Sequence, residues 1–159
     1  MIQRIQSIYL LIAAIATIIL IFIPIGYITT DEYQYIFNAF VVKLNIPETS
    51  VYMSTVYIAL LLGVSVILSI VAIFMYKNRK TQTTIVYANM LIFLITVLVM
   101  TYLYPDVIFV RKGLMNPNDL FNFNYWILAC MVPAALGLYL ANRAIKKDEE
   151  KVKAADRLR

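Results

Sequence analysis

Charge is absent from four long stretches of the chain, residues 5–30, 51–76, 81–105 and 120–142, and apolar side chains fill most of each. An α-helix needs roughly 20 residues to cross a hydrocarbon layer about 30 Å thick, and every stretch is longer than that. In lipid each backbone N–H and C=O must be paired within the protein, so a spanning segment is forced to be helical. The pattern predicts an all-α membrane protein: an antiparallel four-helix transmembrane bundle forming a single domain over 1–159. Spans are expected at about 7–28, 52–76, 84–104 and 124–142, with outer loops at about 29–51 and 105–123 and a helical cytoplasmic tail at about 143–159.

The charges between the stretches set an orientation. Arg4, then Lys77, Arg79 and Lys80, then Arg143, Lys146, Lys147, Lys151, Lys153, Arg157 and Arg159 fall on one side of an even-numbered bundle. The other side has Lys43, Arg111 and Lys112 against Asp31, Glu32, Glu48, Asp106 and Asp119. Basic residues stay on the cytoplasmic side, so both termini are expected there. Tyr27, Tyr52, Tyr102, Tyr104, Tyr125 and Trp126 then fall near the outer headgroups, and Tyr9, Tyr76 and Tyr139 near the inner ones, where amphipathic rings prefer to lie.

Composition narrows the chemistry. Only 14% of residues are charged and 62% are hydrophobic, and the net charge of +5 is spread beside span ends. That arrangement sets topology and forms no nucleic-acid groove. There is no histidine, which removes imidazole bases and His-ligated metals. The single cysteine, Cys130, lies inside the fourth stretch and reads as a small apolar filler. No catalytic residue, metal ligand or cofactor site is predicted. The first apolar run is too long for a signal-peptide core, and it is expected to remain as a span.

Small residues allow helices to approach in lipid. Ala59 with Gly63, the strip Ser65, Ser69 and Ala72, and Gly137 with Ala141 are the expected contact positions. Pro133 is expected to kink the fourth helix. None of the polar residues within the spans is ionisable, and Asn89 is the most polar of them. Its expected role is a bond to a neighbouring helix. Outside the spans, residues 33–44 are aromatic and β-branched and read as a strand, with 107–110 as a pairing partner in a small outer β element. An interfacial helix is the alternative. Either would close the outer end of the bundle as a lid.

The start, Met1-Ile2-Gln3-Arg4-Ile5-Gln6-Ser7-Ile8-Tyr9-Leu10-Leu11, and the end, Leu140-Ala141-Asn142-Arg143-Ala144-Ile145-Lys146-Lys147-Asp148-Glu149, closing on Ala155-Asp156-Arg157-Leu158-Arg159, resemble a family of small bacterial four-span integral membrane proteins known as a domain of unknown function. The resemblance implies a place in the bacterial cytoplasmic (inner) membrane and passes on no catalytic residues. It makes a specific contact at the tail more plausible than topology alone does. The candidate cytoplasmic interaction residues are Gln3, Arg4, Gln6, Asn142, Arg143, Lys146, Lys147, Asp156, Arg157 and Arg159. Beyond the lipid bilayer itself, the expected partner is a cytoplasmic protein or an anionic lipid, with no nucleic acid. The leading reading is a non-enzymatic structural or partner-binding protein acting through its basic tail. The alternative is a small transporter or channel subunit for an apolar or lipid-like solute.

Overall fold

A computed structural model describes residues 2–30, 33–45, 51–113 and 121–157; the side chains of 2–4, 153 and 155–157 lie outside that description. Among the described residues the order is α1 (Ile2–Phe22), β1 (Gly26–Thr29), β2 (Gln34–Phe37), β3 (Val41–Leu44), β4 (Val51–Ser54), α2 (Val56–Phe74), α3 (Arg79–Leu98), a π-helical segment (Val99–Phe109), β5 (Phe121–Phe123) and α4 (Tyr125–Arg157). Among the described residues, four helices are long and apolar enough to cross a membrane. α1 packs against α2 and α4, and α3 packs against the same two. The short link between α2 and α3 folds them back on each other, and Asn78 caps α3 by accepting from Thr81 N at 3.3 Å, the role Asn favours at a helix start.

At one end of the helices lies a five-stranded antiparallel sheet in the order β4-β3-β2-β1-β5. It is larger than expected and differently built. Residues 33–44 form a hairpin of two strands, and the outer parts of the first two charge-free stretches are strands as well: β1 follows α1, and β4 leads into α2. The pairing of 33–44 with 107–110 does not occur. Residues 107–109 belong to the π segment, and β1 takes β5 as its second neighbour, with Gly26 opposite Phe123. Burial decides this against β propensity, because Phe109 and Phe37 are both fully buried with ring centroids 5.1 Å apart. Pro105 lacks the N–H of a regular helical turn, and the wider π turns accommodate it. Gly113, at φ 68°, terminates the helical run in the left-handed conformation that glycine adopts without strain.

An aromatic cluster joins sheet to helices. Phe37 stacks on Tyr104 at 5.3 Å and meets Phe121 edge-on at 6.1 Å. Tyr104 is thus buried in this cluster and is no headgroup anchor. Two side chains fasten the joints. Thr55 Oγ1 donates to Asn38 O at 2.7 Å. Asn124 donates from Nδ2 to Pro24 O at 3.0 Å and accepts from Trp126 N at 3.1 Å, tying α4 to the exit of α1.

Between the helices the expected small-residue contacts hold at every position except Gly63. Gly137 and Ala141 of α4 are buried, and a Cβ built on Gly137 would lie 2.8 Å from Tyr9 O. On α2 the buried strip is Ser65, Ser69 and Ala72. Gly63 has nothing within 4 Å of a built Cβ and is no packing position. α4 passes through Pro133 as one continuous helix.

Candidate functional site

The end of the helices opposite the sheet carries most of the basic residues. Residues 142–157 contain no Gly or Pro and are rich in Ala, Lys and Glu, all good helix formers, so α4 continues unbroken to Arg157. Its 33 residues make a rod about 50 Å long at 1.5 Å per residue.

Two neighbours hold this extension. From α1, Gln6 Nε2 donates to Ala144 O at 3.3 Å. From the start of α3, Arg79 Nη2 lies 3.3 Å from Asp148 Oδ2, and its Nη1 donates to Asp148 O at 3.2 Å. Ile145, between these fastenings, is fully buried. Asp148 interrupts the apolar stripe formed by Ala141 and Ile145, and the interruption is where the ion pair fits: Asp148 is only 9% exposed.

The free face of α4 presents Arg143, Lys146, Lys147 and Lys151, all exposed. Lys146 Nζ stands 4.8 Å from the centroid of the Tyr87 ring on α3, a cation–π distance. Beside it Asn142 is 7% exposed, and its Oδ1 has no hydrogen-bond partner among the described residues. Tyr87, Asn142, Arg143, Lys146 and Lys147 line a groove of about 650 Å³ between α3 and α4. It adjoins a second groove of about 470 Å³ that shares Tyr87 and Met90 and is otherwise lined by apolar side chains. Deeper between α2 and α3, Asn89 Nδ2 donates to Ser69 Oγ at 2.8 Å, and Gln82 Nε2 donates to Ala72 O at 2.9 Å.

Of the residues singled out from sequence, Gln6 meets α4 from α1, Asn142 and Lys146 lie on the side of α4 that faces α3, and Arg143 and Lys147 border the grooves on both sides. Gln6 and Asn142 are buried, while the three cations are exposed. Gln3 and Arg4 belong to the first turn of α1, and Asp156 and Arg157 to the last turn of α4; their side chains, like all of Arg159, lie outside the described residues. Sequence reasoning missed Arg79, Asp148 and Tyr87. In the sequence Arg79 reads only as one of the cations that set orientation, and nothing local marks Asp148 as its partner. Their pairing depends on α2 and α3 folding back beside α4, which no local spacing encodes.

The class that fold and site define is a helical protein with four helices long and apolar enough to cross a membrane, topped by a sheet at one end and prolonged into a basic helix at the other. The chain belongs to the family described as Domain of unknown function (DUF4293), whose pattern matches residues 2–158. Comparison with curated proteins finds no match. The family match agrees with the resemblance carried by the two terminal segments and brings no activity with it.

Proposed function

We propose that this chain is an integral membrane protein, a four-span bundle of the bacterial cytoplasmic membrane with both termini inside. In this reading it has no catalytic role and presents the basic end of α4 to a cytoplasmic partner protein. Support for the membrane location is the inverted distribution of side chains. Leu11, Ile15, Leu60, Ile67, Leu91 and Leu136 face outward, while Ser69, Gln82, Asn89 and Thr96 are buried. Water would select the opposite arrangement; lipid tolerates the apolar exterior and favours polar groups turned inward.

One observation carries the docking role. α4 is fastened by Gln6 and Arg79 on its inner faces, so its outer face holds Arg143, Lys147 and Lys151 on a fixed frame. A cluster ordered beforehand loses less entropy on binding than a loose tail would. The expected partner bears an acidic surface.

The test is affinity capture from solubilised membranes with the full chain and with the triple variant R143E/K147E/K151E. All three positions are exposed, so the fold is retained. A partner recovered with the native chain, released as salt rises and lost in the variant, is the expected result. An identical set of captured proteins for both chains contradicts the reading.

A further inference from the structure

The two grooves between α3 and α4 form one amphipathic channel along the outside of the helices. Its apolar part runs along Met90, Leu94 and Val97 of α3 and Met131, Ala135 and Leu138 of α4. From Tyr87 to Val97 it extends about 15 Å at 1.5 Å per residue, half of a hydrocarbon core about 30 Å thick. That is the depth of one leaflet. Its polar part begins where the apolar lining stops, at Tyr87 and Met90, which border both. There Arg143, Lys146 and Lys147 outnumber the carboxylate of Glu150 among the described lining residues, and Asn142 is buried beside them. The gradient from apolar slot to cationic mouth matches a molecule with the same gradient.

We infer that this channel holds one anionic glycerophospholipid of the cytoplasmic leaflet. An acyl chain lies in the apolar slot, and the phosphate lies at Arg143 and Lys146. Basic pockets between helices at the cytoplasmic face recognise anionic headgroups in this way. Glu150, exposed in the same mouth, offers acceptors to hydroxyl groups, so the headgroup that fits is a phosphoglycerol, as in phosphatidylglycerol. A choline headgroup adds a further cation to the mouth and brings no hydrogen-bond donor for Glu150. The inference rests on the membrane location proposed above.

Native mass spectrometry of the full chain, released from nanodiscs of phosphatidylglycerol and phosphatidylcholine with identical acyl chains, tests it. The expected result is one phosphatidylglycerol retained per chain, favoured over phosphatidylcholine by about tenfold or more. Retention is lost in R143A/K146A, which removes the cations, and in A135W, which fills the slot from an exposed position. It is kept in K80A, which removes an exposed cation outside the channel, and it survives millimolar inorganic phosphate. Equal retention of both lipids, retention unchanged in either channel variant, or displacement by phosphate alone overturns the inference. Alkaline carbonate washing separates the two levels. Release of the chain from the membrane overturns the location itself, whereas a chain that stays integrated and retains no lipid overturns only the channel.

Discussion

At Gly137 the backbone of α4 lies so close to α1 that an added Cβ would meet Tyr9 O at 2.8 Å and Ala13 Cβ at 3.0 Å. Neither atom belongs to a flexible side chain that can move aside, so Gly137→Val must push the helices apart. The expected cost is about 1–3 kcal/mol, the usual range for overpacking. Gly63→Ala, with open space around the new methyl in the interior of α2, is expected to lose no stability and to gain about 0.5–1 kcal/mol from helix propensity. Unfolding of both variants in detergent measures the contrast; equal losses would mean that α4 does not seat on α1 through Gly137. In the sequence the two glycines look alike, each four residues from an alanine. Apolar side chains surround both helices, so no amphipathic pattern marks which face meets a neighbour. Asn89 was legible as a helix-to-helix donor because it stands alone in an apolar stretch. Its bond to Ser69 is expected to give a coupling of about 0.6–1.7 kcal/mol in a double-mutant cycle of Asn89→Ala and Ser69→Ala. A coupling of zero would remove that bond from the account.

The elements divide by how far their folding depends on distant partners. All four helices were visible in the sequence because length and lack of charge suffice to define a spanning segment. The sheet was visible only in part. Residues 33–44 have strand composition, but their reversal at Asn38 and Ala39 lacks Gly and Pro. That turn is fixed from outside, by Thr55 donating to Asn38 O and by Ala59 N donating to Ala39 O at 3.3 Å. Residues 107–109 have strand composition too and became helical, because the segment delivers Phe109 to the cluster around Phe37. β propensity describes fitness for a half-buried pleated surface, and it yields when a buried ring contact is at stake. The extension of α4 shows the same dependence at the opposite end. Its helicity is local, but its position relies on Asp148 and Arg79. Asp148→Ala is expected to leave the four apolar helices intact and to free the extension by about 1 kcal/mol, the upper value for a partly exposed pair. Amide exchange across 143–157 should quicken about fivefold. Unchanged exchange there would show that Gln6 and the burial of Ile145 hold the extension unaided.

For the whole molecule, the controlling feature is the separation of charge from apolar length. The apolar middle is exposed outward and polar inward, and the charged groups sit at the two ends, with the basic excess at the end opposite the sheet. In the proposed orientation the sheet closes the outer face, and α4 reaches into the cytoplasm. Site-directed cysteine labelling tests that orientation most directly. Cys130 is first replaced by alanine, and single cysteines are then introduced at Lys112, beside the sheet end, and at Lys80 and Lys151, at the opposite end; all three positions are exposed. A membrane-impermeant maleimide is expected to label Lys112→Cys in intact spheroplasts, and to label Lys80→Cys and Lys151→Cys only after the membrane is permeabilised. Labelling of Lys151→Cys in intact spheroplasts, or equal labelling of Lys80→Cys and Lys112→Cys there, would contradict a four-span protein with both termini inside.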